Sequence, residues 1–201
     1  MSTFRLHGTV TSPYVRRVRI VAHELGLTYD LVDARSDEGQ TAMRAINPLW
    51  KVPAVELDGR IILDSRVITE YLMRYHGPAP LAPTDPNDVT TQNLVTVIDG
   101  ALDACINTFY LGRDGIAAAP RSYMQKQHDR TASAMQWLDT RVQDVWLTES
   151  RAFGLPEIAL CTMLGWMRFR STYPVEDHPA LVRCLEHHEG RKSMADTQPT
   201  G

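Results

Sequence analysis

A hydroxyl at the opening of one helix and a polar pair at the opening of another are the groups in this chain best suited to handling an anion. Ser12 stands directly before Pro13. Serine suits a helix N-cap, and proline suits the first helical position because its missing N–H is no loss there. The pair therefore predicts a helix start, with the Ser12 hydroxyl donor at the positive end of the helix dipole. Asp64 and Ser65 stand in the same way before a helical run opening at Arg66, with Ser65 as the expected N-cap. A carboxylate there can accept from an ammonium group, and a hydroxyl beside helix-start amides can hold a carboxylate. Between these stretches, Val52-Pro53 precedes an alternating apolar run, where proline fits if the bond before it is cis and makes a sharp turn. Such a turn, followed by a hairpin and a polar helix start, brings free backbone groups and a helix N-terminus together, which suits a small anionic peptide. The bland alternatives are that Ser12 is only a cap and that Asp64-Ser65 is only a strand end. Thr11 and Tyr14 are rival hydroxyls.

These groups need elements to position them. Residues 3–7 alternate, with Phe4 and Leu6 on one face, and read as a strand. Val15, Val18, Ala22 and Leu25 form a helical stripe closed by Gly26, and Tyr29 to Asp33 reads as a second strand, giving a right-handed βαβ unit. Residues 37–46 read as a short irregular helix. Ala54 to Leu57 and Arg60 to Leu63 form a hairpin about Asp58-Gly59, a type I′ pair. Ile68, Tyr71, Leu72 and Tyr75 then fall at helical spacing before Gly77 and Pro78. The first domain is thus βαβαββα over residues 1–77, and the proline-rich residues 78–87 form a linker.

Residues 88–201 are expected to be all-α. Leu94, Ile98, Ala101, Leu102, Cys105 and Phe109 repeat at helical intervals, as do Met135, Leu138, Val142 and Val145 after a helix opening at Pro120. Ile158 to Met167 is apolar nearly all round and reads as the central helix. A shorter helix follows from Pro179, and the tail after Arg191 is expected to be loosely ordered.

Composition bounds the function classes. The chain has 201 residues, 43% of them hydrophobic, enough for a sizeable core, and a formal charge of −3 that gives no electrostatic case for nucleic acid or an anionic membrane. No apolar run approaches the roughly twenty residues of a bilayer span, and no basic-then-hydrophobic leader is seen, so a cytoplasmic location is expected. Cys105, Cys161 and Cys184 are read as buried reduced thiols. His187-His188-Glu189 invites a metal reading, but adjacent histidines on a helix point about 100° apart, so no metal site is expected.

The residues from Asn47 to Ser65, NPLWKVPAVELDGRIILDS, together with Ser12-Pro13, resemble the glutathione site of the glutathione transferase superfamily. Phe153 to Ala159 and the segment from His178 to Pro199 resemble that family's buried-helix capping box and last helix, so the likeness covers nearly the whole chain. It implies a thioredoxin-like N-terminal domain followed by a helical one. It implies further that Val52 and cis-Pro53 meet the cysteinyl unit of glutathione, that Asp64 and Ser65 hold its γ-glutamyl end, and that Lys51 contacts its glycyl carboxylate. Ser12 matches the serine that, in tau-like and many bacterial members, hydrogen-bonds the glutathione sulfur. A free thiol titrates near 8.5, and lowering that by about two units takes roughly 2.7 kcal/mol. One charge-assisted hydrogen bond and a helix dipole are of that size. The chain departs from the family pattern at Trp50 (commonly glycine), Asp64 (commonly glutamate or glutamine), Gly154 (commonly serine or threonine) and Lys192 (commonly proline).

The implied activity is conjugation of the glutathione thiolate to a small electrophilic apolar substrate, with glutathione as co-substrate and a homodimer as the assembly. The electrophile pocket is expected between the domains, with Phe109, Tyr110, Arg113 and Trp166 as its candidates. Serine rather than cysteine at position 12 disfavours disulfide exchange and dehydroascorbate reduction, and TSPYVRR does not match the zeta-like isomerase signature. Two other classes remain open on the same fold: a non-catalytic interaction module of the stringent-starvation type, and a glutathione-dependent dehalogenase, peroxidase or isomerase.

Overall fold

The computed structural model describes residues 3–200. The chain divides into two compact units, Met1–Thr84 together with Glu189–Gly201, and Asp85–His188.

The first unit is thioredoxin-like. Strands β1 (Phe4–Gly8), β2 (Tyr29–Asp33), β3 (Ala54–Leu57) and β4 (Arg60–Leu63) form a mixed sheet in the order β2-β1-β3-β4, with helices α1 (Pro13–Glu24), α2 (Asp37–Ile46) and α3 (Ser65–His76) between and after them. β1 runs parallel to β2 and antiparallel to β3, as a crossover helix and then a long return require. α1 packs on α3 through fully buried Val15, Val18, Ala22, Ile68 and Leu72. Asp58 and Gly59 take φ of 49° and 72°, the double positive φ of the expected hairpin turn. α2 is a regular helix rather than an irregular one. Ser36 caps it by accepting from the Gly39 N–H at 3.0 Å, and Asp37 and Glu38 place negative charge at its first turn.

Two glycines permit close approaches within the unit. A Cβ on Gly8 would lie 2.7 Å from both Val15 methyls, and one on Gly39 would lie 2.0 Å from the Asp33 carbonyl oxygen. Glycine at position 8 is thus what lets the end of β1 meet α1.

The C-terminal tail is ordered, contrary to the sequence expectation. Lys192–Ala195 forms α8, which packs on α1 and buries Ser193, Met194 and Thr197. The cause is polar and long-range. Arg16 donates to the Met194 carbonyl (3.0 Å), Arg19 donates to the Thr197 carbonyl (3.2 Å), and Arg191 donates twice to the Glu24 carboxylate (3.0 Å each), which also accepts from Ser193. Burial pushes the Glu24 carboxyl up, but the Arg191 and Ser193 hydrogen bonds outweigh it and leave it below the ordinary range. The final residues therefore group with the first unit, whereas the sequence expectation carries the helical domain to residue 201.

The second unit is helical: α4 (Val89–Arg113), α5 (Tyr123–Asp139), α6 (Leu155–Arg170), a 3₁₀ turn at Val175–Asp177, and α7 (Pro179–Glu189). α4 packs on α5 and α6 through Leu94, Ile98, Ala101, Leu102 and Cys105. By length and composition alone α4 is apolar enough to cross a bilayer, which corrects the expectation that no segment would be; in this fold one face of it, including Leu94, Ile98, Ala101 and Leu102, is buried in the unit. α5 begins after Ser122, whose hydroxyl accepts from Gln125 N–H, and not at Pro120. It stops at Asp139, so Val142 and Val145 lie beyond the helix. The Asp139 carboxylate instead accepts from the Ala180 and Leu181 amides at the start of α7.

α6 is buried nearly all round, as its sequence predicts. Gly154 is its N-cap and offers no side chain; the Glu157 carboxylate reaches back to the Gly154 N–H (3.2 Å) and accepts from the Thr148 hydroxyl (3.0 Å). Burial pushes the Glu157 carboxyl up, and these hydrogen bonds offset that only in part. All three cysteines are buried and none is in a disulfide.

Candidate active site

Ser12 is the N-cap of α1, in extended conformation, and its Oγ accepts from the Val15 N–H at 3.3 Å. That bond uses a lone pair and leaves the hydroxyl proton for an incoming acceptor. The nearby rival hydroxyl of Thr11 lies 3.4 Å from that of Thr9, and the Tyr14 ring lies under the Arg17 guanidinium at 4.9 Å.

The Val52–Pro53 bond is cis, as its sequence context predicts; a second cis bond, Ala79–Pro80, lies in the proline-rich stretch. Among the described residues, neither the N–H nor the C=O of Val52 has a hydrogen-bond partner, so both backbone groups remain for a ligand. The loop before it is braced by Asn47, which is buried. Its amide donates to the Lys51 carbonyl (2.7 Å) and its side-chain oxygen accepts from the Leu49 N–H (2.9 Å). Asn47 is a supporting residue that the sequence argument passes over, although an asparagine two residues into a turn is a known bracing pattern. Trp50, with φ of 53°, stacks beneath the Arg44 guanidinium at 4.8 Å, and Lys51 is exposed.

At the third stretch the cap shifts by one residue. Asp64, not Ser65, is the N-cap of α3, with φ of 73° and its Oδ1 accepting from the Arg66 N–H at 2.8 Å. Ser65 is the first helical residue and is buried. An aspartate side chain is short enough to cap locally and tolerates the left-handed region, so it takes the role expected of Ser65.

Register brings the three stretches together. Ala54 is paired with His7 on one side and with Leu63 on the other. The end of β1 leading to Ser12, the start of β3 after Val52-Pro53, and the end of β4 leading to Asp64-Ser65 therefore leave the sheet at one edge. That edge combines a hydroxyl donor at a helix start, an unpaired peptide group, and a second helix start bearing a carboxylate.

The four electrophile candidates lie together in the helical unit. The Phe109 ring meets Trp166 (5.6 Å between centroids) and Tyr110 (5.3 Å), and the Arg113 guanidinium sits 5.8 Å from both the Phe109 and Tyr110 rings. Trp166 is 5% exposed and belongs largely to the core, whereas Tyr110 is 55% exposed. Arg170, absent from the sequence-derived set, also lies over Phe109 at 5.7 Å. A separate depression of about 490 Å³ is walled by Thr172, Tyr173 and Val175 and contains none of the four. His187 and His188 both meet Trp146, at 5.3 and 4.8 Å; His188 is buried in the core of the unit, whereas His187 is exposed.

Residues 6–80 match the family model described as glutathione S-transferase, N-terminal domain. The uncharacterized GST-like protein YibF of Escherichia coli K12 is 27% identical over 199 residues, 97% of this chain and 98% of its own. Among solved structures, a glutathione S-transferase of Methylobacillus flagellatus KT with glutathione bound is 29% identical, with a TM-score of 0.85 over 98% of this chain and 100% of its own. A glutathione transferase family member of Pseudomonas fluorescens Pf-5, with S-(propanoic acid)-glutathione bound, is 27% identical with a TM-score of 0.76 over 98% and 100%. The fold is thus a thioredoxin-like domain joined to an all-helical one, the architecture of glutathione transferases. The N-terminal unit matches the glutathione S-transferase N-terminal domain over residues 6–80, and the chain as a whole is similar in sequence and fold to glutathione transferases.

Proposed function

We propose that this protein binds glutathione at the sheet edge and conjugates its thiolate to a small electrophile. The observation that carries the reading is the double pairing of Ala54 with His7 and Leu63, which sets Ser12, Val52-Pro53 and Asp64-Ser65 at one edge. In this reading the peptide group of Val52 exchanges hydrogen bonds with the cysteinyl unit. Asp64 accepts from the α-amino group, Ser65 and the α3 amides hold the γ-glutamyl carboxylate, and Lys51 meets the glycyl carboxylate. The Ser12 hydroxyl donates to the sulfur and favours its thiolate, which attacks an electrophilic carbon. A C–S bond forms and the leaving group departs with its electron pair. The Pseudomonas relative's ligand is glutathione carrying a carbon substituent on sulfur, the kind of product such a step makes.

The test is calorimetry with glutathione beside conjugation of 1-chloro-2,4-dinitrobenzene. Binding in the micromolar to millimolar range with turnover above the uncatalysed rate supports the reading; absence of glutathione binding refutes it. We further propose a homodimer, supported by exposed Val67 and Tyr75 on α3. A monomer alone in sedimentation at micromolar concentration defeats that part.

A further inference from the structure

We infer that the electrophile carries an anionic carboxylate on an aromatic body, held by Arg113 and Arg170; this deepens the glutathione transferase reading and rests on it. The observations lie within the helical unit. Both guanidiniums are drawn over one ring, Phe109, at 5.8 and 5.7 Å from its centroid, and Arg170 also covers Phe169 at 4.6 Å. Trp166 meets the same ring edge-on.

Each arginine is the last residue of its helix, α4 or α6, where the carbonyl ends favour a cation. That position accounts for the charge but not for the arrangement. Arg168, on the same last turn of α6, shows the ordinary outcome: it reaches Glu176 with two hydrogen bonds, at 2.8 and 3.1 Å. Arg113 and Arg170 make no ion pair among the described residues. The Nε of Arg170 is shut off from solvent and has no acceptor, which is a costly state for a guanidinium donor unless something arrives to satisfy it. A planar carboxylate matches the fork geometry of a guanidinium, and an arene attached to it would find Phe109 and the exposed face of Tyr110. A neutral apolar electrophile would use the rings and leave both cations unanswered.

The test uses two arenes differing by one charge, 4-fluoro-3-nitrobenzoate and 4-fluoro-3-nitrobenzamide, each offered with glutathione. In both, the thiolate adds at the fluorine-bearing carbon, a C–S bond forms, and fluoride leaves with the electron pair. Each enzymatic kcat/KM is divided by the rate of the same compound with glutathione alone, which removes the difference in intrinsic reactivity. The acid is expected to exceed the amide by roughly tenfold or more, the scale of one charge-assisted hydrogen bond, and mainly through KM. In Arg170→Gln, and independently in the surface variant Arg113→Gln, the acid-to-amide ratio is expected to fall toward one. A ratio near one in the unaltered protein, or a preference that survives both substitutions, overturns the inference while conjugation of the amide leaves the transferase reading in place. If neither compound is consumed, the same pair is titrated by quenching of tryptophan fluorescence. Tighter binding of the acid, lost in both variants, supports the carboxylate site although the conjugation reading has failed, and equal dissociation constants overturn it.

Discussion

At the scale of single residues, Ser12 makes the sharpest difference between a structural and a chemical role. Its oxygen is occupied in capping while its proton is available, so Ser12→Ala should leave glutathione affinity nearly intact, since the sheet edge supplies the remaining contacts. Loss of one charge-assisted hydrogen bond raises the sulfur pKa and predicts a roughly ten- to hundredfold slower conjugation near neutral pH. Raising the pH restores the thiolate and part of the rate. Ultraviolet titration of bound glutathione checks this: equal midpoints in the two proteins return Ser12 to the status of a cap. Glu157 offers a second test, on stability. Burial raises its carboxyl in the folded state, so its contribution to stability is complete below the unfolded value near 4.5 and is lost as pH rises through the folded value. Glu157→Gln keeps an acceptor for the Gly154 N–H and should flatten that part of the stability-pH curve, measured by denaturant titration from pH 4 upward. Local chemistry made Ser12, Pro53 and Glu157 legible in the sequence. The cap at Asp64 was not, because its φ of 73° depends on how β4 must turn into α3.

Elements are held in register here by glycines that serve two separate physical needs. Gly8 lets β1 approach α1, and Gly59 supplies a positive φ in open space. Gly8→Ala forces its new methyl against Val15, whose N–H is the donor to Ser12. It should cost about 1–3 kcal/mol and disturb the α1 start. Gly59→Ala meets no neighbour and should cost only the backbone term, about 1–2 kcal/mol, with glutathione binding unchanged. Equal losses of binding in both variants, by denaturant midpoint and calorimetry together, would contradict this division. The hairpin was readable because Asp58-Gly59 names its own turn type. The end of α5 was not, because apolar Val142 and Val145 continue the helical spacing past Asp139, whose carboxylate serves the start of α7 across more than forty positions of sequence.

At the scale of the whole molecule, the tail and α1 form one polar assembly. Glu24 is mostly buried and held ionised by Arg191 and Ser193, so its stabilising contribution is present above the unfolded carboxyl value near 4.5 and is lost as pH falls through the lower folded one. Arg191→Ala should lower stability by about 1–3 kcal/mol and shift acid unfolding of the first unit to higher pH, as followed by circular dichroism. An unchanged acid midpoint would separate the tail from the stability of that unit. Nothing in the residues after Arg191 announces this docking: the segment is short and polar, and its order comes from Arg16, Arg19 and Glu24, far earlier in the chain.

The same docking sets an order of events during synthesis. The chain leaves the first unit at Thr84 and rejoins it at Glu189, so the piece that closes over α1 is made only after the whole of the helical unit. Until then Arg16, Arg19 and Glu24 lack the partners that the tail supplies in the finished fold. A stop codon falling after the helical unit, at the start of the α8 segment, should therefore injure the unit translated first.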